Sequence, residues 1–329
     1  MHPVTPRIIN FFWANEKMSW LRYMSIWTAK KFNPDWEVRL YLHSTEESYA
    51  IGDSPWRQDV VQDFFNYEGE NFLGKLRDID VEIINWQPKY FTKTLNGISE
   101  AARLKEPLVP EGSTPSHRSN YFKWYLMATE GGVYADNDIL FVRSMDAKYE
   151  DVDSFYERFK TANVAISYHD MDEYFSIGLL SSRGGSDFYR DVYVEALKIF
   201  DKGNYQQAGV VALNRSLGNQ SLVGGWPELT RKYQGSKIRN IGMSYCYPYD
   251  STEVECYFEQ PPGPLSDKLV ARAVGLHWYA GHPTAQKWNN LLGPDNYKDY
   301  NNVITRELKK ILGGGLPALE SDRKFRESI

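Results

Sequence analysis

The sequence has almost no cysteine: Cys246 and Cys256 are the only two in 329 residues. A disulfide framework is therefore excluded, and a zinc site built on thiolates has too few ligands. Long basic blocks are also missing, and the formal net charge is −5. A non-specific nucleic-acid binder needs a positive surface, so that class is excluded. No stretch approaches the ~20 continuous apolar residues of a membrane span. The opening MHPVTPRIINFFW has no apolar region followed by a small-residue cleavage site. These absences lead to the expectation of a cytoplasmic protein without a membrane span. A Gly-x-Gly-x-x-Gly fingerprint, a P-loop and a nucleophile elbow are absent as well.

What the chain has in excess is aromatic residues, 15% of the total, with 23 Tyr and 10 Trp. Such rings fill cores, and they also line surfaces that hold sugars or bases. The pattern alternates strands and helices. RIINFFW reads as a buried first strand. The steps from Trp20 through Tyr23, Met24 and Trp27 then predict a helix that Asn33-Pro34 stops. WEVRLYL (36–42) is a second strand, PWRQDVVQDFFNY (55–67) a helix and VEIINW (81–86) a third strand. That order indicates a mostly parallel twisted α/β sheet flanked by helices.

Further on, 116–132 predicts a helix closed by Gly-Gly, then one strand, VYADNDILFV. Strands at 163–169, 176–182 and 273–279 and helices at 186–200 and 207–217 follow. No repeat or Pro/Ser-rich linker interrupts the chain. The expectation is one domain over 1–312 with helical insertions, followed by a loosely ordered, Gly-rich and then charged tail at 313–329.

The chemistry centres on GGVYADNDIL (131–140), which sets Asp136 and Asp138 inside strong strand sequence. In a strand, residues two apart share a face, so Tyr134, Asp136 and Asp138 are expected side by side. Two neighbouring carboxylates repel unless a cation compensates. A divalent ion with oxygen ligands, Mg²⁺ or Mn²⁺, answers that need. The bland alternative is a pair of solvated turn residues. A calcium loop is ruled out by the apolar ILFV that follows. A phosphatase nucleophile normally ends a strand near the start of a chain, whereas this pair is mid-chain. A metal-dependent phosphohydrolase stays as the third reading.

SNYFKWYLMATEGGVYADND resembles the signature of the DXD-motif glycosyltransferases that include the clostridial glucosylating toxins and yeast Golgi mannosyltransferases. Ser119, Gly131, Gly132, Tyr134, Asp136 and Asp138 match the pattern. Asn120 stands where that family has aspartate, and Lys123 where it has arginine. Asn keeps a donor and an acceptor, whereas Lys keeps the charge and loses the bidentate fork. The resemblance implies a GT-A-like fold and a nucleotide-sugar donor, a UDP-sugar or GDP-sugar. It also implies transfer of a hexose to a glycan or other acceptor, with retention.

It makes Asp136, Asp138 and Lys123 the catalytic group, with Ser119, Asn120 and Tyr134 on the donor. Trp13, at the end of the first strand, becomes the platform for the donor base. GLHWYAGHPTAQKW (275–288) resembles the family's late His-plus-Trp segment. His277 is then the third metal ligand, with His282 as the weaker match, and Lys287 and Trp288 lie beside the phosphates. Gln207 and Gly209 resemble the opening of the acceptor-side helix. His169, Asp170 and Asp172 sit in a loop that either touches sugar hydroxyls or is simply solvated. The alternative to an enzyme is a nucleotide-sugar or glycan binding module of the same fold, suggested by Asn120 and Lys123.

Overall fold

The structure is a computed structural model that describes residues 2–14, 17–43, 67–91, 105–148, 154–201, 203–204 and 206–313. The expected helix at 55–67, apart from its last residue, and all but the first residue of the expected tail lie outside the described residues.

The strands are β1 (Ile8–Trp13), β2 (Glu37–Leu42), β3 (Glu82–Asn85), β4 (Lys89–Phe91), β5 (Leu108–Pro110) and β6 (Gly132–Ala135). After them come β7 (Ile139–Phe141), β8 (Val164–His169), β9 (Tyr174–Ser182), β10 (Ile238–Asn240) and β11 (Gly275–His277). Among the described residues seven strands form one sheet in the order β10-β8-β9-β6-β1-β2-β3. All its pairings are parallel except the two made by β9. β7 and β11 pair antiparallel, and β4 and β5 pair parallel.

The helices are α1 (Trp20–Phe32), α2 (Pro115–Thr129), α3 (Phe155–Phe159), α4 (Asp187–Lys198) and α5 (Ala212–Ser216). Later come α6 (Trp226–Lys232), α7 (Glu255–Phe258), α8 (Pro264–Val270), α9 (Pro283–Leu291) and α10 (Val303–Leu312). None is long and apolar enough to cross a membrane. The mostly parallel, helix-flanked α/β sheet read from the sequence is the architecture observed.

Two parallel neighbours need a crossover, and α1 supplies it between β1 and β2. Ser19 caps it by accepting the Arg22 N–H, and the Asn33 side chain closes its far end on the Ala29 carbonyl. α2 starts at Thr114 and Pro115, a preorganised first turn. Its cap is reciprocal: Thr114 Oγ1 accepts the His117 N–H while His117 Nδ1 accepts the Thr114 N–H. α2 ends at Gly131, whose φ of +81° lies in the left-handed region. A side chain there would also strike the backbone of Ser182 and Gly184. The Gly-Gly pair is thus accounted for by turn geometry alone.

The sheet carries a core on each face. On one side Trp20, Phe141, Leu276 and Trp278 pack around α1. On the other Tyr121, Trp124, Tyr134 and Tyr189 pack between α2 and α4. Burying each such ring contributes about 1.5–3 kcal/mol, so most of the aromatic excess is core material.

The structure corrects one expectation. VYADNDILFV is two strands, with Asp136, Asn137 and Asp138 in a turn between them. β6 stays in the main sheet, while β7 leaves it to pair with β11. The apolar residues on either side of the pair serve different sheets, which is why the sequence reads as one run. The expected helix at 207–217 likewise opens with a wide π-type turn, Gln207–Val211, before α5.

Candidate active site

β1, β6 and β8 run the same way, so their carboxyl ends share one edge of the sheet. Open α/β sheets bind ligands at that edge. A cleft lies there with about 710 Å³ of empty space, part of it open to solvent. Trp13 from the end of β1 lines it, with Ser119, Asn120 and Lys123 from α2 and Tyr134, Asp136 and Asp138. Residues from three segments of the sequence are thereby brought together.

Asp136 is gripped from the α2 side. Lys123 Nζ lies 3.1 Å from its Oδ1, and the Tyr134 hydroxyl donates to the same oxygen at 2.6 Å. Lys123 also donates to the Ile177 carbonyl at 3.3 Å. Ser119 Oγ is 2.8 Å from the Tyr134 hydroxyl, which extends the chain of contacts to the cleft wall. Burial, together with the adjacent Asp136 charge, pushes the Tyr134 phenol well up, so it stays a donor.

Asp138 is held from the opposite side. Its Oδ2 accepts the Ala280 N–H at 2.9 Å, and its own carbonyl accepts the Trp278 N–H at 2.9 Å. His277 Nε2 lies 3.2 Å from Oδ1, close enough for charge pairing but out of line for a hydrogen bond. Burial alone would raise the Asp138 carboxyl. The His277 ring, the Arg22 guanidinium and the Ala280 N–H outweigh burial and hold it far below the usual carboxylate range.

Asp136, Asp138 and His277 each offer a ligand atom, and these atoms lie within 4.8 Å of one another. Two further observations test whether an ion fits. Asp138 Oδ1, which faces His277 Nε2, is buried without a hydrogen bond among the described residues. Beneath the cluster sits Gly178, where a Cβ would lie 3.0 Å from Asp136 Oδ2 and 3.1 Å from His277 Nε2. A buried carboxylate oxygen with no donor, over a floor that tolerates no methyl group, fits a hard divalent cation.

Not every expected residue reaches the cleft. Lys287 and Trp288 sit on α9, where Lys287 Nζ and Trp288 Nε1 each donate to Glu259 Oε1 at 2.9 Å. The Trp288 ring stacks on Phe258 at 6.0 Å. The turn after β11 gives α9 a heading that points both side chains at the α7 end. His282 caps α9 by accepting the Thr284 N–H at 3.3 Å and lies 3.9 Å from Glu255. His277, not His282, is in the carboxylate cluster. Gln207 donates to the Ile199 carbonyl at 2.8 Å. A Cβ on Gly209 would be 3.1 Å from Asn120 Nδ2, so the π-type turn abuts the cleft wall. His169 pairs with Asp172 at 3.0 Å at the tip of the β8–β9 hairpin.

The sequence reading missed four residues. Arg22, 5% exposed, lines the cleft beside the Asp-x-Asp turn and lies over the Trp13 ring at 5.0 Å. It donates to Asn137, whose amide donates to the Phe12 carbonyl at 3.1 Å. The middle residue of Asp-Asn-Asp thus fastens the turn to β1. Gly178 and Tyr247 form the floor, with the Tyr247 hydroxyl accepting the Leu179 N–H at 2.9 Å. A lone arginine among Trp20, Tyr23 and Met24 was the one available sign, since a charge on an apolar helix face needs a partner. Gly178 and Tyr247 had no sign at all.

Residues 22–156 match the family described as glycosyltransferase sugar-binding region containing DXD motif. That segment of the chain, which holds α2, the Asp-x-Asp turn, the strands on either side of it and most of α1, thus matches the sugar-binding region of DXD-containing glycosyltransferases. Among solved structures it is similar to the PaToxG glycosyltransferase, at 14% identity over 70% of this chain and 85% of that one, TM-score 0.37. It is similar to the galactosyltransferase LgtC in complex with donor and acceptor sugar analogs, at 11% identity over 98% and 100%, TM-score 0.32. The catalytic domain of alpha-toxin from Clostridium novyi is 10% identical over 99% and 82%, TM-score 0.32. No curated protein matches the chain. Likenesses this distant carry no argument, and the family match is that of residues 22–156 and the motif they contain.

Proposed function

We propose that the chain moves a hexose from a UDP-sugar or GDP-sugar to a glycan or other acceptor, with a divalent cation, Mn²⁺ or Mg²⁺, and with retention. In this reading residues 1–312 act as one transferase unit. The observation that carries it is the convergence of Asp136, Asp138 and His277 over Gly178 in the cleft that Trp13 and Arg22 line.

Breaking the bond from sugar to diphosphate builds negative charge on the leaving oxygens. A bound ion supplies Lewis-acid stabilisation of that charge. The residues that would hold it are Asp136, Asp138 and His277. Lys123 and the Tyr134 hydroxyl occupy Asp136 Oδ1, which leaves Oδ2 directed over Gly178. The Ala280 N–H fixes Asp138 Oδ2 and orients Oδ1 toward His277. Arg22, anchored by Asn137, gives the cleft a fixed positive charge where the diphosphate departs. Trp13, 3% exposed with Arg22 over its ring, borders the place for the base, and Ser119 and Asn120 offer hydroxyl and amide groups to the ribose or sugar.

The test is a thermal-shift panel of nucleotide sugars with and without Mn²⁺, followed by donor hydrolysis. One donor should raise the melting temperature only with metal and be hydrolysed slowly, and chelation should remove both effects. Stabilisation without turnover, even with acceptors, would turn the reading to a binding module. Phosphate release from simple esters would turn it to a phosphohydrolase.

A further inference from the structure

We infer that a groove at the β8–β9 hairpin holds a neutral oligosaccharide, the acceptor chain, about 10 Å of strand from the metal-type cluster. The inference rests on the transferase reading above. The groove lies between the hairpin and the segment that leads into α6, and it encloses about 1080 Å³ of empty space, part of it open solvent. It adjoins the carboxyl end of β8, the same sheet edge that carries Asp136. β9 links the two places. Phe175 packs under Tyr168 and Trp226 at the groove, and Gly178, three residues on, floors the carboxylate cluster.

The lining has the chemistry that sugars require. Trp226 stacks on Tyr168 with centroids 5.4 Å apart, and its indole N–H has no hydrogen-bond partner among the described residues. Gly225, at φ +95°, allows the chain to press against Phe175, 3.0 Å from where a Cβ would sit, and so sets the Trp226 ring in place.

Tyr168 lines the groove and is 6% exposed as a residue, and its hydroxyl, which is not buried, makes no hydrogen bond among the described residues. A phenol beside a groove with no protein partner is open to hydrogen-bond a ligand's hydroxyl. Burial, then Glu173, Asp170 and Glu228, push this phenol up, so it is a donor ringed by acceptors. The side chains of those three carboxylates and of Arg231 line the groove and make no ion pair or hydrogen bond among the described residues. A ring to stack on, one donor phenol, three acceptor carboxylates and one guanidinium suit a polyhydroxylated chain. The excess of negative charge disfavours anionic glycans.

The test uses the intact chain and a printed array of neutral oligosaccharides of several linkages, a uronate oligosaccharide and an oligolysine peptide. Hits are titrated by calorimetry. A neutral oligosaccharide should bind, and the uronate should not. Trp226→Ala should weaken binding about tenfold or more, the size typical of a buried aromatic anchor. Trp226 also packs against Phe175, so Glu228→Gln, with its melting temperature checked, gives a second reading and should weaken binding severalfold. Failure of every neutral oligosaccharide, or equal affinity in both variants, overturns the inference. Oligolysine binding that Glu228→Gln removes overturns it in favour of a basic peptide. Donor hydrolysis by the wild-type chain separates the two levels. Hydrolysis without oligosaccharide binding sinks the groove alone, and loss of metal-dependent hydrolysis sinks the transferase reading itself.

Discussion

Asp136 and Asp138 are two residues apart in sequence and are held by different halves of the molecule. Asp136 is fixed by Lys123 and Tyr134, thirteen and two residues away, whose surroundings are the α2–α4 core. Asp138 is fixed by His277 and Ala280, the latter 142 residues away, from the core around α1 and β11. One half is a local arrangement, a helix folding back on the strand that follows it. The other exists only because β7 leaves the main sheet to meet β11. The difference teaches that a short motif can be a seam: its two acids report on two packing problems solved separately.

The largest effect expected from breaking this comparison is on the distant half. Asp138→Ala should lower metal-dependent donor hydrolysis by about 10²–10³-fold, since it removes a group that stabilises charge in the transition state. Steady-state hydrolysis checks it, and an active variant would remove Asp138 from the site. Gly178→Ala comes next and strikes both halves at once. Its new methyl group would crowd Asp136 Oδ2 and His277 Nε2. Mn²⁺ affinity should fall about 10–100-fold, as for other changes beside metal ligands, and metal titration reads it directly.

The local half should betray itself in stability. Lys123→Met leaves Asp136 without its cation, and urea unfolding should show a loss of about 1–3 kcal/mol. The loss is smaller than for a fully buried pair because Asp136 keeps 27% exposure.

Acid should separate the halves further. His117 caps α2, and burial pushes its imidazole below the ordinary range. The unfolded chain then takes up a proton near pH 6.5 that the folded chain refuses. Stability should therefore fall as the pH drops below about 6.5 and level off below the folded value, by at most about 1.4 kcal/mol per unit. His43, lowered mainly by burial, adds to the same trend. His117→Gln should remove its share of the slope in pH-dependent melting. Asp138, held low, should keep its charge throughout that range. The smallest effect should be that of Lys287→Ala. Its exposed pair with Glu259 is worth less than about 1 kcal/mol, and donor KM should move less than about twofold if the cleft ends where Gly281 does.

The legible part of the site was the part written in consecutive residues. Ser119, Asn120 and Lys123 recur at helical spacing, Gly131 ends that helix, and Tyr134 and Asp136 follow on the next strand. Each step is fixed by local geometry, so the group arrives together in space. Lys287 and Trp288 show the limit of such reading. They follow His277 closely in sequence, but the direction of α9 turned them to Glu259, and nothing local fixes a helix's heading. Arg22 shows the opposite case, a charge one helical turn from plain core residues whose partner Asn137 is 115 positions away.

By itself, the sequence determined the alternation of strands and helices and the burial of most aromatic rings, and its Asp-x-Asp segment carries a family resemblance in consecutive motif residues. The alternation and the burial follow from periodicity and turn chemistry, which act over a few residues. Only the tertiary structure decided that the expected single strand is two, that His277 rather than His282 meets the carboxylates, and that Gly178 and Arg22 belong to the site. Those outcomes depend on which distant surfaces bury each other, and burial is a property of the whole packed chain rather than of any segment in it.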